Sequence, residues 1–269
     1  MSGDTAGDTA GDTAGDTVDD RRALPSGVPV GFRSRLFEEL RILIVAGIVA
    51  GVLLVGVGSR LAMLVLRLTS PDRVIGIRSD DDFEIGRFTV GGTYNLLMLG
   101  AVVGIIGAGV YRLVAPWLIG PMWFRRFTTA AASAVVGGSM LVHADGIDFR
   151  LLKPTWLAIG LFVALPAVFG AAIGPVVDRV ADPDSWTRQG RRIWLVPMAL
   201  VVPFPLTVLP IVLAAVVIAV LMAIDDATPI ARLRSTVGYQ VVVRGAWLGI
   251  AVIGLFALIE DVRQIRDVV

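Results

Sequence analysis

Residues 42–68 read ILIVAGIVAGVLLVGVGSRLAMLVLRL, with no helix breaker other than glycine and no charges other than Arg60 and Arg67. A helix needs about 20 residues to cross a hydrocarbon core of about 30 Å, so this run predicts a membrane span. The composition agrees with it. The 269-residue chain is 55% hydrophobic and 17% charged, with a mean hydropathy of +0.78, whereas soluble domains carry about 25% charged residues.

With the first span fixed, further apolar runs thread behind it at about 94–118, 128–142, 155–177, 193–224 and 241–259. The expected fold class is therefore an all-α membrane protein of about six helices in a compact bundle. Residues 128–142 are the thinnest run, covering about 23 Å at about 1.5 Å per residue. Residues 193–224 carry Pro197, Pro203, Pro205 and Pro210. As one straight helix they would extend about 48 Å, and each proline removes a backbone donor and restricts its predecessor. The run is expected to be broken, with a true span from about Thr207. Whether it is one broken span or a span plus a re-entrant segment stays open, and a plain kink is favoured over a transporter-type binding break.

Residues 1–32 form a polar tail in which 3–18 are four tandem tetrapeptides, GDTA three times and then GDTV. With no apolar periodicity the tail is expected to be disordered, with or without a docking role. Residues 33–40 (RSRLFEEL) read as a short amphipathic surface helix that opens the membrane domain, 33–269. Arg21, Arg22, Arg33, Arg35 and Arg41 precede the first span, which argues for a cytoplasmic N-terminus. Six spans then place both termini in the cytoplasm, with 13 basic residues in the cytoplasmic segments against 7 in the outer ones. The first apolar run is too long and begins too late for a cleaved signal peptide, so it is expected to anchor the chain in the cell membrane.

Small residues four apart mark how the helices meet: Gly47 and Gly51; Gly100, Gly104 and Ala108; Gly170 and Gly174. In lipid, where no hydrophobic effect drives helices together, such stripes let backbones approach closely. They predict packing seams, in a compact bundle or a dimer.

The outer loops hold what chemistry the sequence offers. Residues 74–90 (VIGIRSDDDFEIGRFTV) alternate around an acidic turn and predict a small extracytoplasmic β-hairpin with 79–82 at its tip. Asp80, Asp81 and Asp82 invite a cation site, although the EF-hand pattern is absent and solvated acids at a turn are the favoured reading. Arg60 lies about two turns inside the first span, where an arginine either snorkels to the headgroups or pairs internally. His143, Asp145 and Asp148 in MLVHADGIDF, together with Arg244 just inside the last span, would gather with Arg60 into an outer polar cluster. A metal or acid–base role for His143 with the two aspartates is weaker than a plain turn at Asp145–Gly146. With one histidine and no cysteine, no metal centre, cofactor or catalytic residue is expected, and nucleic acid is not an expected partner. Trp117, Trp123, Trp156, Trp194 and Trp247 fall near span ends, as aromatic belts do.

GVGSRLAM (56–63), SDDDFEIGRFTVGGTYNLL and MLVHADGIDF resemble stretches of a family of uncharacterised polytopic membrane proteins of actinobacteria, and the likeness covers most of residues 42–180. It implies a membrane location and transfers no catalytic or binding residue. Two functional readings follow. One is a non-enzymatic structural, sensory or accessory membrane protein, in contact with the bilayer and with a second copy or another membrane protein. The other is a small-solute or ion transporter that uses Arg60 beneath the outer cluster. A membrane enzyme is a weaker third.

Overall fold

The computed structural model describes residues 30–70, 89–142, 153–188, 205–223 and 236–268. The first element is one unbroken rod, Gly31–Thr69, of 39 residues. It comprises α1 (Val30–Ala50), a π-helical stretch (Gly51–Val57) and α2 (Gly58–Thr69). The surface helix expected at 33–40 is thus the opening of the span itself. At about 1.5 Å per residue the rod is about 58 Å long, so part of it must stand outside a bilayer core of about 30 Å.

Then follow α3 (Val90–Val114), running into a 3₁₀ turn at Ala115–Trp117, α4 (Met122–Leu141), α5 (Thr155–Ala181), a 3₁₀ turn at Trp186–Arg188, α6 (Pro205–Ala223) and α7 (Val237–Val268). Four helices are long and apolar enough to cross a membrane: Gly31–Thr69, Val90–Trp117, Thr155–Ala181 and Val237–Asp267. Among the described residues there is no strand. The expected β-hairpin lies outside them, apart from its last two residues, Thr89 and Val90. These two open α3 instead: Val90 is its first residue, and Thr89 Oγ1 accepts from the Gly92 N–H at 3.2 Å and caps the helix.

Helix α1 is the axis of the bundle. Ile42 to Ala46, Ile48 and Ala50 are buried against Ala101, Ile105 and Ala108 of α3, Phe169, Ile173 and Val177 of α5, and Ala215 and Ala219 of α6. Contact between α1 and α3 is backbone to backbone. A methyl group added at Gly47 would sit 2.5 Å from Ile105 Cα, and one at Gly104 would sit 2.7 Å from Gly51 Cα. The stripes read from the sequence are therefore seams within this chain.

The π-helical stretch completes that seam. Gly51 and Gly56 are five residues apart, and at about 100° per α-helical residue Gly56 would point about 140° away from Gly51. The wider i→i+5 turn brings it back to the same side. Gly56 then meets Leu97 as Gly51 meets Gly100, and a methyl group at Gly56 would lie 3.1 Å from Leu97 Cα.

Helices α4 and α5 are antiparallel: Gly137 faces the Pro166 ring, and further along Gly170 faces Thr129 and Ser133. Pro166 and Pro175 are both accommodated inside α5. The last helix runs parallel to α4. Its Gly254 lies against Val135 and Ser139, Leu258 against Gly138, and Ile265 clusters with Val142, Ala158 and Leu66. Tyr239, at its start, contacts Trp117 with ring centroids 6.0 Å apart.

The expected threading differs here. A single crossing at 193–224 would have made α7 antiparallel to α4. In the structure the 3₁₀ turn at Trp186–Arg188, held against Arg41, and the start of α7 lie at the same end of the bundle. The beginning of α1 and the end of α7 stand at opposite ends rather than together.

Candidate functional site

Two constructed regions occupy the two ends of the bundle. At the end where α1 begins, Arg41 is 7% exposed. A cation so enclosed needs every donor satisfied, and the local sequence supplies the acceptors. Glu38, one helical turn earlier, accepts from Arg41 Nε at 3.1 Å and from Nη2 at 2.6 Å. Nη1 donates to Thr187 Oγ1, which also shares a hydrogen bond of 3.0 Å with Ser185 Oγ.

Thr187 reaches that position because the chain turns sharply after α5. The Ser185 N–H donates to the Asp182 carbonyl at 3.0 Å, and the Asp184 N–H donates to Asp182 Oδ1 at 2.8 Å, an Asx turn. A second pair joins α1 to α3: Arg112 Nε donates to Glu39 Oε2 at 3.1 Å, and Nη2 donates to Oε1. Two neighbouring glutamates on α1 thus point to two different arginines. Together they staple α3 and the turn after α5 to the axial helix.

At the opposite end α2 closes on α5. Ser70 Oγ accepts from the Lys153 N–H at 3.1 Å and donates to the Lys153 carbonyl at 3.2 Å. Beside this junction a cavity of about 670 Å³ runs between the first half of α5 and the last turns of α7. Its walls are apolar except at its mouth, where Thr155 and Arg266 stand. Thr155 Oγ1 is buried with no hydrogen-bond partner.

The residues expected to form an outer polar cluster do not come together as a set. His143, Asp145 and Asp148 lie outside the described residues, as do Asp80, Asp81 and Asp82. Arg60 is half-buried on α2, at the level of Gly58, which faces Leu165. Arg244 is half-buried near the start of α7. It lies 14 residues, or about 20 Å of helix, before Leu258, the α7 residue level with that part of α5. The two arginines are therefore well separated, because α7 runs the other way from the expected direction. Among the described residues no group of three or more His, Asp or Glu side chains could hold a metal ion.

The stapled end was open to sequence reasoning and was missed. Glu38 and Arg41 stand at i and i+3, a spacing that places side chains together on a helix, whereas the charge pattern alone marks Arg41 only as a positive charge before a span. Nothing in the sequence pairs Glu39 with Arg112, 73 residues on.

No family model, curated protein or solved structure matches this chain. The resemblance described above rests on its quoted residues alone.

Proposed function

We propose that this chain is a multi-pass integral membrane protein that works without catalysis, as a structural, sensory or accessory element whose activity lies in contacts made at its surface. The observation that carries the reading is the seam along α1. Backbone meets backbone at Gly47, Gly51, Gly100 and Gly104, Leu43, Val45 and Ala46 are fully enclosed, and ion pairs lock one end. A transporter alternates between packings around a central site, and an interdigitated axis of this kind favours one fixed arrangement. The exposed apolar length of α7, from Val241 to Ile259, faces lipid in this reading, or a second copy or another membrane protein.

In the plasma membrane, the beginning of α1 would face the cytoplasm and the end of α7 the exterior. The positive-inside balance supports this threading as well as the one expected from sequence. Segment 224–240 and the C-terminal segment hold two basic residues each, so exchanging them leaves 13 against 7.

The absence of cysteine makes the test clean. Single cysteines at Ser34, Gln264 and Arg60 would be labelled in intact cells with a membrane-impermeant thiol reagent. Labelling at 264, silence at 34 until the cells are permeabilised, and silence at 60 are expected. A reactive thiol at 60 would mean that water reaches deep into the bundle, and the transport reading would replace this one.

A further inference from the structure

We propose that the groove between α5 and α7 is a binding site for one acyl chain of an anionic phospholipid, with the headgroup phosphate held at Arg266. The inference rests on the membrane reading above and adds a ligand to it.

Two observations converge. The first is length. The groove follows α5 from Thr155 to Ala167, about 18 Å at about 1.5 Å per residue, and one leaflet of a core of about 30 Å is about 15 Å deep. A chain entering at the headgroup level would end near the middle of the bilayer, where the groove ends.

The second is chemistry along that length. Gly160, Ala164 and Ala167 make the floor shallow on side chain and deep in space, and Gly160 has nothing within 4 Å of where a Cβ would stand. Polar groups are confined to the mouth. There Arg266 is exposed and supplies a cation with fork geometry suited to phosphate. Trp156, largely exposed beside it, has the amphipathic ring that settles at headgroup depth.

With α1 beginning in the cytoplasm, this lipid belongs to the outer leaflet.

The test uses the full chain purified in detergent, delipidated, and offered phosphatidylglycerol or phosphatidylcholine at equal concentration, with bound lipid counted by native mass spectrometry. The wild type is expected to retain phosphatidylglycerol at least ten-fold better than phosphatidylcholine. Arg266→Gln should abolish that preference, whereas Arg263→Gln, on the same helix but outside the groove, should keep it. Gly160→Leu, which fills the groove without meeting a neighbour, should remove retention of both lipids. Equal retention of both lipids by the wild type, or indifference to Arg266→Gln and Gly160→Leu, overturns the proposal. Loss of a dimer rather than of lipid in Gly160→Leu overturns it in favour of a partner helix. If Gly160→Leu fails to fold, the Arg266→Gln and Arg263→Gln pair decides alone. Failure of the underlying reading looks different: the wild type would then leave the membrane on alkaline carbonate washing, before any lipid is offered.

Discussion

Replacing Gly47 by alanine tests the seam that organises the bundle. The new methyl would lie 2.5 Å from Ile105 Cα, 2.7 Å from Ile105 N and 2.9 Å from the Gly104 carbonyl carbon. Carbon atoms rest at about 3.5–4.0 Å, so α1 and α3 must part by about 1 Å, and a gap of that size forfeits a quarter to a half of each contact it opens. A buried side chain makes 40–60 contacts of about 0.1–0.2 kcal/mol. One seam residue such as Ile105 losing a quarter of them gives up about 2 kcal/mol, within the range of about 1–3 kcal/mol for overpacking a core. That is about a thirty-fold drop in the folded-to-unfolded ratio. The assay is the denaturation midpoint in mixed micelles, with Gly249→Ala as reference because nothing lies within 4 Å of its Cβ position. Gly104→Ala should cost a similar amount, and the double variant less than the sum, since the first methyl already separates the helices. A midpoint for Gly47→Ala equal to that of Gly249→Ala would refute the reasoning, as would strict additivity of the pair.

Arg41→Ala should destabilise the chain by about 3 kcal/mol, the lower end for breaking a buried pair because Glu38 keeps some contact with water, and it should raise proteolytic cleavage at residues 182–188. A cycle of Glu39→Gln and Arg112→Gln, read by the same midpoint, should give a coupling of about 1 kcal/mol or more, and a coupling near zero would deny the staple between α1 and α3. Gly249→Ala should leave the midpoint unchanged or raise it by up to about 1 kcal/mol of helix propensity. An engineered cysteine pair at Gly254 and Val135 should form a disulfide on oxidation, and its failure to form would contradict the parallel docking of α7 on α4.

The helices were legible where the physics is local. A run of 27 residues at 42–68 whose only charges are Arg60 and Arg67 is long and apolar enough to cross a membrane, and glycines at i and i+4 announce a seam before any partner is known. The third glycine of that seam was not legible in the same way, because Gly56 follows Gly51 by five and leaves the stripe unless the helix widens. The direction of α7 was hidden for a different reason. Charge counting is blind between the two threadings, since the segments that exchange sides carry equal numbers of basic residues. Once α7 was reversed, Arg244 moved to the other end of the bundle and the expected cluster around Arg60 lost a member. The groove at Thr155 and Arg266 could not be foreseen, because those residues meet only when α7 runs as it does.

The parallel docking of α7 also sets an order of events during synthesis. The surface of α4 that holds Val135, Gly138 and Ser139 is covered by a helix whose first residue is made 96 positions after α4 ends. At roughly 5–20 residues per second, that interval lasts about 5–20 seconds. Throughout it α4 has α5 on one side and an unfilled place on the other. Quality-control proteases that recognise half-covered membrane helices have their opportunity then, and a chain truncated before residue 237 never leaves it.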